Sequence, residues 1–296
     1  MRFAGIIPAV TTPFDDRGDV DLAALERNVR RLLDAGVHGI VGTGTMGEAG
    51  SLSAAERRLV VETIAGTVAR AVPVFAGVSA ATPEAVIGHA SDAAAAGADA
   101  LMLLPPLGYR GDVLEIEAFY RAVAAAVDLP IMAYNNPEAS GTDMDPDLIV
   151  RLARIDNVVA VKECSGDVRR IPAILHGAHD GLEVLVGGDD WALEGFCAGA
   201  TGWVSGVADV APRECCELYE HCRAGDLEAA RAVYRRLLPL ARFDMTPKLV
   251  QFFKAAMDAV GLEGGPCRPP RLPLTAAERV ALDEALRALR AEEVAA

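Results

Sequence analysis

A (β/α)8 TIM barrel followed by a C-terminal three-helix appendage is the fold this sequence predicts, and three observations predict it. Short apolar runs alternate eight times with stretches of helical spacing. The runs are apolar at consecutive positions, as parallel strands covered by helices on both faces must be. Eight such units fill roughly 220 residues, the count of a (β/α)8 barrel; an open doubly wound sheet rarely needs so many regular units. The length of 296 residues, 52% of them hydrophobic, allows the large core this fold needs. It also excludes a disordered tail protein or a small disulfide scaffold.

In chain order, strand 5–13 leads to helix 22–35, which Gly36 ends in a left-handed conformation. Strand 39–45 leads to helix 53–69. Its start, Ser53-Ala-Ala-Glu56, is a capping box in which Ser53 accepts from the third-residue amide and Glu56 reaches back. Strand 73–79 leads to helix 83–96, opened by Thr82-Pro83 and closed by Gly97. Strand 98–106 leads to helix 113–127, and strand 130–136 to helix 146–155, which Asp145-Pro146 opens. Strands 158–164, 182–188 and 201–208 lead to helices 168–178, 191–198 and 212–224, with Gly199 ending the second of these. Beyond about residue 225 no strand is expected. Three amphipathic helices follow at 226–242, 247–260 and 276–294, with Gly264-Gly265-Pro266 and Pro269-Pro270 before the last. The division is thus a catalytic barrel at 1–224 and a helical region at 225–296.

The net charge of −14 repels phosphate backbones and argues against a nucleic-acid partner. No apolar run reaches about 18 residues, so no membrane span is expected. The N-terminus shows no signal-peptide pattern. Six cysteines without a Cys-x-x-Cys pair fit reduced thiols in a cytoplasmic protein. Of the 28 basic residues only Lys162, Lys248 and Lys254 are lysines. Lys248 and Lys254 fall on the tail, where a solvated surface role is expected.

A barrel places its chemistry at the C-terminal ends of its strands. The sixth strand ends Val161-Lys162-Glu163. Burial disfavours the charged form of a lysine, and a neutral amine attacks carbonyls; the bland alternative is a tip lysine in solvent or paired with Glu163. The fifth strand ends Tyr134-Asn135-Asn136-Pro137. Tyr134 is either a proton carrier at the mouth or a core aromatic, and Asn135 and Asn136 read as turn residues. The second strand ends Gly42-Thr43-Gly44-Thr45-Met46-Gly47-Glu48, where glycines let amides approach a carboxylate or phosphate. The seventh ends Gly187-Gly188-Asp189-Asp190, with Asp190 read as a helix cap, and the eighth reads Thr201-Gly202-Trp203-Val204-Ser205-Gly206. The five histidines, His38, His89, His176, His179 and His221, fall on helices or their ends, so a metal-dependent aldolase is disfavoured.

Taken in order, the Gly-Thr-Met-Gly-Glu loop, Tyr-Asn-Asn-Pro, Val-Lys-Glu-Cys-Ser-Gly and Gly-Gly-Asp-Asp resemble the dihydrodipicolinate synthase/N-acetylneuraminate lyase superfamily across essentially the whole chain. The resemblance implies a Schiff base between Lys162 and the keto carbon of pyruvate or another 2-oxo acid. It implies proton transfer by Tyr134, a hydrogen bond from Thr45 to Tyr134, and a carboxylate held by Gly44, Thr45 and the Met46 amide. Gly188 and Val204 would shape the pocket through backbone groups. No metal or organic cofactor is implied, and the partners are a small 2-oxo acid and further copies of the chain, as a homotetramer or dimer.

Three departures bear on the second substrate. Met46 stands where the family usually has a second Thr, Ala139 where the biosynthetic synthases carry an Arg, and Tyr109 is displaced from their Tyr pair. They argue against a purely lysine-biosynthetic role, and the Pro105-Pro106 and Tyr134-Asn-Asn-Pro137 pattern resembles catabolic members. Aldol cleavage or formation, dehydration, deamination of a hydroxyproline-derived imino acid and true 4-hydroxy-tetrahydrodipicolinate synthesis all stay open. Outside this class stand a non-catalytic 2-oxo acid-binding regulator and a phosphate-binding sugar isomerase.

Overall fold

The computed structural model describes residues 3–178 and 181–290. Eight strands, β1 (Gly5–Pro8), β2 (Ile40–Gly42), β3 (Val74–Gly77), β4 (Ala100–Leu103), β5 (Ile131–Asn135), β6 (Val158–Glu163), β7 (Glu183–Val186) and β8 (Gly202–Ser205), pair in parallel around one sheet. The first and last strands pair with each other, and a parallel bridge between Ala9 and Val41 closes the ring. This is the predicted (β/α)8 barrel. Each strand is shorter than its apolar run, because the run continues past the last ladder bond into the mouth. In the second unit the strand stops at Gly42, while Thr43 turns into the loop with φ of 54°.

The intervening helices are α1 (Leu22–Asp34), α2 (Ala54–Val68), α3 (Pro83–Ala95), α4 (Val113–Ala124), the single turn α5 (Pro137–Ser140), α6 (Pro146–Leu152), α7 (Arg170–Gly177), α8 (Ala192–Cys197) and α9 (Pro212–Ala224). The start signals act as expected. Ser53 and Glu56 form both bonds of the capping box, and the side chains of Thr82 and Asp145 accept from Ala85 and Leu148. Gly36, Gly97 and Gly199 all take the left-handed φ. The turn α5 was not predicted; Asn136 caps it and Pro137 begins it. Asp190 is not a cap. A 3-10 turn over Asp189–Trp191 precedes α8 and leaves the Asp190 Oδ1 atom unbonded.

The tail forms α10 (Leu227–Ala241), α11 (Leu249–Ala259) and α12 (Ala276–Arg290). Residues 291–294 of the predicted last helix, and His179, lie outside the described residues. α10 packs on α9 and on α12, continuing the outer helical ring. Lys254 corrects the expectation of a solvated tail. It is 1% exposed, and its ammonium donates to Glu48 Oε1 at 2.7 Å and to the Pro266 carbonyl at 2.8 Å. Lys248 is partly exposed and pairs with Glu278 at 2.8 Å. α11 presents Val250, Phe253, Ala256 and Met257 to the core, a spacing that leaves Lys254 on the side nearest the second-strand loop. No helix among the described residues is long and apolar enough to cross a membrane.

Candidate active site

Strand register brings the two central groups together. Tyr134 on β5 lies directly opposite Lys162 on β6, and Asn135 lies opposite Glu163. Side chains alternate across a strand, so the first pair shares one face and the second pair the other. Tyr134 and Lys162 line a cavity of about 530 Å³ at the mouth. The Lys162 ammonium sits 4.3 Å from the Tyr134 ring centroid. Behind them Asn135 donates to Glu163 Oε2 at 3.0 Å and accepts from the Met144 amide at 2.9 Å. Ser165 donates its amide to the other Glu163 oxygen at 2.7 Å. That outward layer fixes the backbone of both strand ends.

Lys162 is 6% exposed and makes no hydrogen bond or ion pair among the described residues. Burial acts first, lowering its pKa, but the facing acids Tyr134, Cys164, Asp244 and Asp189 outweigh burial and hold the ammonium above the ordinary lysine range. The sequence shows only the first of these effects. Burial also pushes the Tyr134 phenol and the Cys164 thiol up, so both are uncharged near neutral pH. Among the facing acids, Asp244, itself pushed up by burial to about 6, is a carboxylate that favours the protonated lysine near neutral pH.

The second-strand loop forms another wall. Thr43 is a β-branched residue in the left-handed region, a conformation that costs about 1–3 kcal/mol. Two contacts hold it. Its hydroxyl donates to the Gly77 carbonyl at 3.0 Å, and a Cβ on Gly77 would come within 2.5 Å of the Thr43 carbonyl oxygen. Thr45 and Met46 line the cavity, and among the described residues their amides are not spent on hydrogen bonds within the loop. Glu48, fully buried, anchors the loop to the tail. It accepts from Lys254, from the Arg268 amide at 3.1 Å and from Arg271 Nη1 at 3.4 Å.

The remaining expected residues are placed differently. Gly44 packs its backbone toward Met102, outside the cavity lining. A Cβ on Gly188 would meet the Trp191 indole nitrogen at 2.1 Å, so that position is closed by a ring rather than by the cavity. Val204 is fully buried opposite Ile7 in the barrel interior. Tyr109 is 50% exposed and does not line the cavity of its own chain, while Ala139 does line it. The hydrogen bond expected from Thr45 to Tyr134 is absent among the described residues; Asn136 Nδ2 donates to the phenol oxygen at 2.8 Å instead. Sequence reading also missed the tail's share of the cavity. Asp244, Thr246 and Arg271 reach it from beyond the barrel, and Asp244 is fixed by the Asp189 amide at 3.1 Å.

A buried lysine over a phenol ring thus lines a cavity at the carboxyl end of a closed parallel barrel. Residues 2–289 match the dihydrodipicolinate synthetase family. The chain is 37% identical over 274 residues to the 4-hydroxy-tetrahydrodipicolinate synthase of Methanothrix thermoacetophila, covering 92% of each protein. It superposes on a dihydrodipicolinate synthase of Bacillus anthracis with a TM-score of 0.93 at 33% identity, covering 97% of this chain and 98% of that one. The pyruvate complex of the Acinetobacter baumannii synthase gives a TM-score of 0.92 at 32% identity, covering 97% and 99%. The chain belongs to the dihydrodipicolinate synthetase family and is a lyase of that family.

Proposed function

We infer that this enzyme forms a Schiff base between Lys162 and a 2-oxo acid, with pyruvate the first candidate. The observation that carries the reading is the Lys162 ammonium over the Tyr134 ring, buried in the cavity with no hydrogen-bond partner among the described residues. After losing its proton, the amine adds to the keto carbon to give a carbinolamine. The Tyr134 hydroxyl then protonates the departing oxygen, water leaves, and a protonated imine remains with the phenolate beside it. That imine withdraws electrons from the neighbouring carbon, which supports aldol addition or cleavage and dehydration alike. The unspent amides of Thr45 and Met46 suit the substrate carboxylate.

The second substrate is read from the departures. Ala139 brings no guanidinium to the cavity, and the Arg271 that lines it is engaged with Glu48 and Ser51. Asp244 adds negative charge near the lysine. This favours an aldol or dehydration partner unlike the substrate of the named synthase relatives. The setting proposed is cytoplasmic, in a homo-oligomer.

Pyruvate plus borohydride, followed by peptide mapping, tests the reading. A stable adduct on Lys162 is expected. No adduct with any 2-oxo acid, or an adduct on another residue, overturns it.

A further inference from the structure

The Tyr134 phenol oxygen is both donor and acceptor, so its chemistry depends on which of those roles its neighbour takes. Asn136 is that neighbour, and the orientation of its amide is fixed by a second bond. The Ala139 backbone N–H donates to Asn136 Oδ1 at 3.0 Å, and a backbone N–H can only donate. The other end of the side chain is therefore the NH2 group, and it faces the phenol at 2.8 Å. The Tyr134 oxygen thus accepts, and its hydrogen is left free for the cavity. The backbone of Asn136 is equally constrained. Its carbonyl accepts from the Ser140 amide at 3.0 Å and the Ser140 hydroxyl at 2.9 Å, and Pro137 follows it. Asn136 returns to the face of Tyr134 by the strand period of two and lines the cavity itself. Asn135, one residue earlier, is instead used up in the Glu163 layer.

We propose that Asn136 is the positioning residue that aims the Tyr134 hydroxyl at the substrate and stabilises the phenolate once the proton has gone. This rests on the Schiff-base reading for the step that uses the proton. In that step the carbinolamine C–O bond breaks, the phenol hydrogen leaves with it as water, and the charge left on the phenol oxygen meets the Asn136 N–H. The titratable groups facing the phenol are Lys162 from β6, Cys164 just past the end of that strand and Asp244 from the tail. Asn136 is the uncharged donor that acts in the same sense as the lysine.

Asn136→Asp separates the two duties of the side chain. The carboxylate can still accept from Ala139 and keep the turn, but it presents an acceptor to the phenol and reverses that bond. In the free enzyme, spectroscopic titration against a Tyr134→Phe background should place the Tyr134 transition about one pH unit or more higher. With pyruvate as the probe, hydrogen–deuterium exchange at its methyl group should slow by about tenfold or more, with its KM changed far less. Asn136→Val removes donor and cap together and should raise the transition as well. An unmoved titration and an unchanged exchange rate in Asn136→Asp would overturn the proposal. Borohydride trapping on the wild type is run alongside. If the wild type forms no adduct, the Schiff-base reading fails by itself and the free-enzyme titration still decides the role of Asn136. If it forms one while Asn136→Asp behaves as wild type, only the positioning role is lost.

Discussion

Lys162 and Lys254 each hold an ammonium over an aromatic ring, 4.3 Å from the Tyr134 centroid and 4.4 Å from that of Phe14. Both are buried, at 6% and 1% exposure. Around Lys254 the ammonium is answered by the Glu48 carboxylate and the Pro266 carbonyl, and Glu48 is completed by Arg268 and Arg271. Around Lys162 no such partner exists among the described residues, and the nearest wall is open cavity. A buried charge without a partner costs several kcal/mol, so a fold keeps one where it is used. Residue type is the same and both are buried; what separates the two positions is whether the amine is already hydrogen-bonded.

Exchanging each lysine for methionine breaks or sharpens the contrast. Lys162→Met should reduce pyruvate methyl exchange by roughly four orders of magnitude or more. Its thermal melt should move far less than that of Lys254→Met, because no hydrogen-bonded carboxylate is left behind and Asp244, which feels the lysine only at longer range, can take up a proton. Lys254→Met should destabilise the protein by about 3–5 kcal/mol, since Glu48 then sits fully buried without its nearest cation. A Lys162→Met protein as unstable as Lys254→Met, or a Lys254→Met melt equal to the wild type, would erase the distinction.

The smallest effect concerns Asp244. Its carboxylate favours the charged form of Lys162, and attack requires the neutral form. Asp244→Asn should therefore move the acidic limb of the exchange profile to lower pH, by up to about one unit. Stability gives a second reading. The folded pKa of Asp244 is raised to about 6, above its unfolded value, so its stabilising contribution is complete at low pH and lost as pH rises through about 6. The asparagine variant should gain on the wild type above that pH in matched melts. A limb that stays in place or moves to higher pH would remove Asp244 from control of the lysine.

These differences also mark what the sequence could reveal. Lys162 and Tyr134 are legible because each is a polar residue closing an apolar strand, and strand ends are where a barrel does its chemistry. The barrel itself follows from period and count. Lys254 misleads because its partner lies 206 residues away, and amphipathic spacing cannot tell a solvated position from one buried by a distant loop. Asp244 lies in a 3-10 turn between α10 and α11, where no periodicity reports which way a side chain faces. Asn136 was visible as a turn residue. Its bond to Tyr134 depends on which end of its amide the Ala139 backbone occupies, and only three-dimensional geometry shows that. Thr45 illustrates the reverse: its motif was clear, but the expected bond is made by another residue.

The Glu48 clamp has a consequence for how the protein is made. The loop that it steadies belongs to the second of eight units, yet the groups that hold it come from residues 254 to 271. On a ribosome the loop emerges long before its anchors. Up to that point Glu48, at positive φ, has no tail to hold it there. A chain ended before α11 could complete all eight strands and still lack a finished mouth. The shape of the cavity wall is thereby tied to arrival of residues 254–271, and a shorter translation product would carry Lys162 without that wall.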